Sequence, residues 1–182
     1  RQSSAKAPAN KSVFSSFRFP SGLKVKNRLV KAAMEENLAT IEQVPSQTLL
    51  AMYRKWADGG VGLILTGNVM VDHLAMTGPG GLALEKSSDI TTFTQLANES
   101  KINGCKVVMQ INHPGRQVFS KMGGKVLSAS DVALDMGKHS HLFGQPKAMN
   151  EAQIQDVIKR FVQTAQRAEE AGFDGVQIHA AH

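Results

Sequence analysis

From residue 28 onward the chain alternates short aliphatic and β-branched runs with longer segments whose apolar positions recur every three to four residues. The short runs are RLVKAA at 28–33, VGLILT at 61–66, KVVMQI at 106–111 and GVQIHA at 175–180. Each has the length of an ordinary strand. After Pro45 and Ser46, the residues Leu49, Leu50, Met52, Tyr53 and Trp56 recur at helical spacing, and Gly59 with Gly60 supplies a stop. Phe93, Leu96, Ala97 and Ile102 repeat that pattern, with Asp89 near the start and Gly104 past the end. The clearest helix carries one apolar stripe of Ile154, Val157, Ile158, Phe161, Val162, Ala165 and Ala168. Asn150 and Gln153 form a capping-box pattern at its start, and Gly172 ends it.

Strand, helix, strand in this order predicts parallel βαβ units. The segment 113–149 is too long and too rich in Gly, Ser and His for a plain connector, and loops of that length in compact domains are usually functional or disordered, the alternative here being a mobile surface insertion. It follows a strand end, so we expect a cover over a site, with a small hairpin inside it. Residues 1–16 are polar and lack an apolar core, which predicts a flexible tail and no secretory signal. The 182 residues fall short of the roughly 250 of a complete (β/α)8 barrel, and both ends read as cut.

Composition narrows the class. Apolar residues make up 42% and charged ones 20%, as in a globular protein, and no apolar run reaches the roughly 18 residues that span a bilayer. A formal charge of +6 is spread along the chain, and one Trp and one Tyr give nucleic acid no stacking platform. Neither nucleic acid nor membrane is an expected partner. One cysteine, Cys105, cannot form an internal disulfide, which predicts a reducing, cytoplasmic setting.

Four groups fall at the C-terminal ends of the four strands: Ala33, Met34 and Glu35; Thr66, Gly67 and Asn68; Gln110, Asn112 and His113; His179 and His182. In parallel β/α folds these ends share one face, so the groups converge. The imidazoles of His179 and His182 can both donate to one oxygen, which suits a carbonyl or nitro group gaining negative charge. Zinc ligation needs a third ligand, and Cys105 lies at the opposite end of its strand. Carbonyl binding, metal binding and a structural role all stay open for the pair on these residues alone.

The segments NRLVKAAM at 27–34, GGVGLILTGNVMV at 59–71, VVMQINHPGRQ at 107–117 and FVQTAQRAEEAGFDGVQIHAAH at 161–182 resemble the Old Yellow Enzyme family of NADH:flavin oxidoreductases and ene-reductases. The resemblance implies an α/β fold, the N-terminal half of a parallel (β/α)8 TIM barrel spanning 17–182 with its first four βα units. It implies FMN as cofactor, NADH or NADPH as reductant, and hydride transfer through the flavin to an α,β-unsaturated carbonyl compound. Carried over by position, Ala33, Met34 and Glu35 lie against the flavin ring and Gly67 leaves room for it. Gln110 bonds the pyrimidine edge, and His179 and His182 bind the substrate carbonyl as the catalytic pair. A homo-oligomer is compatible with all of this. The alternative is a non-catalytic half-barrel that pairs with another chain or has lost activity.

Two departures from the family pattern matter. The position of Glu35 is commonly Thr or Cys, which can donate toward the flavin; an ionised Glu only accepts, so it is protonated, turned away, or tunes the flavin potential. The Tyr usual two positions beyond the second histidine, and the later phosphate loops, lie outside this sequence. Weak FMN binding by this piece alone follows as an expectation.

Overall fold

A computed structural model describes residues 12–181. Its centre is a parallel sheet built from β3 (Val30–Lys31), β4 (Leu63–Met70), β6 (Lys106–Asn112) and β9 (Gly175–Ile178) in that spatial order, preceded by a short antiparallel pair, β1 (Phe17–Arg18) and β2 (Lys24–Val25). Helix α1 (Gln47–Asp58) links β3 to β4, α2 (Thr91–Ser100) precedes β6, and α3 (Glu151–Glu170) precedes β9. The register runs Val30 beside Leu63, Leu63 beside Lys106, and Val108 beside Gly175. The strand–helix alternation of the sequence is therefore realised as parallel βαβ units.

Local chemistry sets each helix. Ser46 accepts the Leu49 amide at 3.2 Å and starts α1, and Gly60 at φ +98° ends it in a conformation open to glycine. The Asn150–Gln153 capping box forms as the spacing predicts, with both reciprocal bonds at 2.9 Å. Burial alternates along β6, with Val107, Met109 and Ile111 closed against the helices and Val108 and Gln110 half-buried on the other face. Leu49, Leu50 and Tyr53 of α1 and Phe93, Leu96 and Ala97 of α2 complete this core.

Several boundaries differ from the sequence expectation. The first strand pairs only at Val30–Lys31, where 28–33 is expected, because the chain then leaves the sheet to turn over Gly67. The second runs from Leu63 to Met70 instead of 61–66, with a bulge between Leu65 and Asn68, and gains β5 (Leu82–Ala83) as a parallel partner of its last residues. Ile102 lies in a short 3-10 turn beyond α2. The apolar stripe of α3 is only partly covered: Thr164 and Ala168 are buried, while Ile158 and Val162 are about half exposed, because β9 is the sheet edge among the described residues.

Within 113–149 the expected hairpin is absent; β7 (Leu127–Ser128) and β8 (Lys147–Ala148) instead pair in parallel, and Phe119 stacks on Phe143 at 5.1 Å. Of the tail expected over 1–16, residues 1–11 lie outside the described residues, and 12–16 turn back so that Val13 accepts the Arg28 amide at 2.8 Å. Among the described residues no helix is long and apolar enough to cross a membrane.

Candidate functional site

The C-terminal ends of β3, β4, β6 and β9 lie side by side, linked by hydrogen bonds from one strand end to the next. Asn68 and Gln110 are register partners, as are Gln110 and Gln177. Asn68 Nδ2 donates to Glu35 Oε1 at 2.8 Å, Gln110 Nε2 donates to Gln177 Oε1 at 2.8 Å, and the His179 amide donates to the Ile111 carbonyl at 2.9 Å. Ala33, Met34, Glu35, Gly67, Gln110 and His179 thus share one end of the sheet. His182 lies outside the described residues. Cys105 sits buried at the start of β6, away from His179 at the end of β9, and burial pushes its thiol up to about 11.

The bulge in β4 gives this end its shape. Thr66 Oγ1 takes the Gln110 amide at 3.0 Å, in place of a ladder carbonyl, and donates to the Gly67 carbonyl at 2.7 Å. The Gly67 amide leaves the ladder for the Tyr53 hydroxyl, 3.0 Å away. A Cβ at Gly67 would strike the Met34 carbonyl and the Glu36 carboxylate. Glycine is therefore demanded by the close approach of the 33–36 turn, a reason separate from room for a ligand. Behind this turn, among Glu35, Glu36, Asn68 and Gly80, remains a cavity of about 10 Å³, no larger than one water. The outer side of the turn is open, with Met34 53% exposed.

Glu35 Oε1 accepts from both Asn68 Nδ2 and Thr77 Oγ1, each at 2.8 Å. Two donors on one oxygen match a carboxylate turned toward the β4 end and the loop beyond it. Below lies a second carboxylate in drier surroundings. Glu36 receives Lys31 Nζ at 3.2 Å and Tyr53 Oη at 2.6 Å. Burial draws Lys31 below its ordinary pKa against the pull of Glu36, and burial followed by the Glu36 charge drives the Tyr53 phenol up.

The long segment 113–149 is tied to this end by charge. Asp72, just past β4, binds Lys125 at 2.9 Å and lies 3.8 Å from Arg160, which reaches Glu85 at 2.7 Å. Burial favours the neutral acid of Asp72, but the Leu74 amide, Lys125 and Arg160 together hold it below the usual carboxylate range. His113 Nδ1 accepts the Gly115 amide at 3.2 Å, and burial lowers its pKa despite Asp72. Asp72, His73 and Glu85 bring ligand atoms within 4.8 Å of one another, yet Lys125 and Arg160 already neutralise that cluster.

Sequence reasoning missed Lys31, Glu36, Asn68 as a tether, and Gln177. A signal existed for some of them. Lys31 interrupts an apolar strand, and Tyr53 on a buried helix stripe needs a partner for its hydroxyl.

Residues 12–182 match the NADH:flavin oxidoreductase / NADH oxidase family. The chain is similar to the NADH-dependent flavin oxidoreductase nadA of Aspergillus parasiticus, 37% identical over 168 residues that cover 86% of this chain and 38% of that one. It is also similar to the NADH oxidase of Thermoanaerobacter brockii, 36% identical over 166 residues that cover 88% of this chain and 24% of that one. Among solved structures, the old yellow enzyme homologue from Zymomonas mobilis superposes with a TM-score of 0.83 at 25% identity, over 93% of this chain and 48% of that one. Morphinone reductase in complex with tetrahydroNAD gives 0.84 at 21% identity, over 94% and 50%, a likeness of fold. The chain spans about half the length of these barrel structures and less than half of the two curated relatives.

Proposed function

The chain belongs to the NADH:flavin oxidoreductase / NADH oxidase family, and from that premise we propose that it forms the flavin floor and carbonyl-binding end of an FMN-dependent oxidoreductase. The reaction carries hydride from NADH or NADPH to an activated, α,β-unsaturated alkene. The observation that carries this reading is the convergence of the 33–35 turn, Gly67, Gln110 and His179 on one end of a parallel sheet. Their chemistry fits a flavin: Met34 offers an apolar surface to a flat ring, and the Gln110 amide carries both a donor and an acceptor for the pyrimidine edge.

When bound, FMN supplies the hydride chemistry. The protein's part is orientation and polarisation. Gln110, braced by Gln177, would hold the pyrimidine edge, and the 33–35 turn would lie against the ring. His179, together with His182, donates to the substrate carbonyl oxygen and steadies the charge that builds there, an effect worth about 3 kcal/mol in oxyanion-type sites.

A second reading draws on the exposed edge at β9, where Ile178 is 65% exposed beside the half-exposed Ile158 and Val162 of α3. In that reading flavin binding waits for a further segment to pair with this edge. Flavin fluorescence titration separates the two. Tight, stoichiometric FMN binding by these residues alone overturns the weak binding expected of this piece and removes the need for a further segment, and weak binding that tightens with an added C-terminal segment supports the second reading. Anaerobic addition of NADH should then bleach the flavin bands, and an α,β-unsaturated ketone should restore them. A protein that binds no flavin in either form overturns both.

A further inference from the structure

Two opposite charges lie nearly dry beneath the 33–35 turn. Lys31 and Glu36 expose only 7% and 8% of their side chains. Ions removed from water must be paired and hydrogen-bonded, and here each is. Lys31 Nζ reaches Glu36 Oε1 at 3.2 Å and the Leu65 carbonyl at 3.0 Å, and sits 4.5 Å above the Trp56 ring. Tyr53 Oη donates to Glu36 at 2.6 Å and accepts the Gly67 amide at 3.0 Å. Every hydrogen bond of this network ends on the β4 bulge or on the turn above it, the two segments assigned to the flavin.

A pair of this kind is a poor device for stability alone, because matched apolar side chains in its place are often as stable. Its geometry gives it another use. We infer that Lys31 and Glu36 are positioning residues for the flavin, holding the 33–35 turn against Gly67 and setting the field under the ring. The inference rests on the proposed function. Reduction adds electron density to the ring, so the Glu36 charge opposes it and the Lys31 charge favours it. With both present the two effects offset each other.

The test is the midpoint potential of the FMN-loaded protein, read by spectroelectrochemistry, for Glu36→Gln and Lys31→Gln. The first leaves Lys31 uncompensated and shifts the potential upward; the second leaves Glu36 uncompensated and shifts it downward. A packing defect has no reason to give opposite signs. If either single variant fails to fold, the double variant Lys31→Met with Glu36→Gln leaves no buried charge and keeps an amide oxygen to accept the Tyr53 hydroxyl. It should melt near the wild-type temperature, hold a potential near that of the wild type, and bind FMN at least tenfold more weakly. Shifts of one sign, no shift, or wild-type FMN affinity in a folded double variant overturn the inference while leaving the flavin assignment standing. A wild-type protein that takes up no FMN, with or without the added C-terminal segment, overturns both.

Discussion

The Gly67 amide, in the bulge where β4 has no register partner on β6, is bonded to the hydroxyl of Tyr53, 3.0 Å away on α1. That one bond ties the helix layer to the bulge that shapes the candidate site. Tyr53 is fully buried, so Tyr53→Phe strands both the Gly67 amide and a lone pair of Glu36 without water to replace the hydroxyl. The expected cost is about 1–3 kcal/mol, read as a lower midpoint in urea denaturation.

Gly67→Ala should be worse for flavin than for folding. The added methyl meets the Met34 carbonyl and the Glu36 carboxylate, so the 33–35 turn must move outward. Overpacking of this kind costs about 1–3 kcal/mol. The sharper readout is FMN affinity, expected to fall at least tenfold by fluorescence titration.

Glu35→Thr removes a carboxylate that takes hydrogen bonds from Asn68 and Thr77 at the edge of the proposed flavin floor. Loss of the negative charge should raise the flavin midpoint potential. An unchanged potential would overturn a tuning role for Glu35.

Asp72→Asn should weaken the tether between Lys125 in the long loop and the end of β4. The folded-state pKa of Asp72 lies below its ordinary value of 3.8. Its stabilisation is therefore full above that value and disappears as pH falls through the lower, folded pKa. Urea melts should show wild type ahead of Asp72→Asn by about 1–3 kcal/mol at pH 7, with the gap closing toward pH 3.

His113 gives a dependence nearer neutrality. Its folded-state pKa is below the ordinary 6.5, so the unfolded chain binds the proton more readily. Stability from this residue is complete above about pH 6.5 and falls as pH drops through that value toward the folded pKa. Protonating Nδ1 also removes the acceptor for the Gly115 amide. His113→Gln should flatten the decline between pH 7 and 5 in thermal melts.

Much of this was legible in the residues in order. The periodicity around Leu49 and Tyr53, the capping box at Asn150 and Gln153, and the glycine stops predict helices that form close to those positions, since caps and stripes act over a few neighbouring residues. Strand lengths were less legible, because pairing at Val30–Lys31 stops where the turn over Gly67 begins, a contact between residues more than thirty apart. The α3 stripe is legible from its period, but how much of it is buried is not. Ile158 and Val162 are exposed because burial depends on what lies beyond β9, which no helix pattern encodes.

The sequence by itself determined the βαβ order, the starts of α1 and α3, and the placing of Glu35, Gln110 and His179 toward one end of the strands, all properties of local pattern and spacing. Only the tertiary structure decided that Gly67 is required by Met34 and Glu36, that Asn68 and Thr77 claim Glu35, and that Lys31, Glu36 and Tyr53 form one dry network beneath the turn. Those are contacts between segments distant along the chain, and their energies depend on burial, which exists only once the layers have packed.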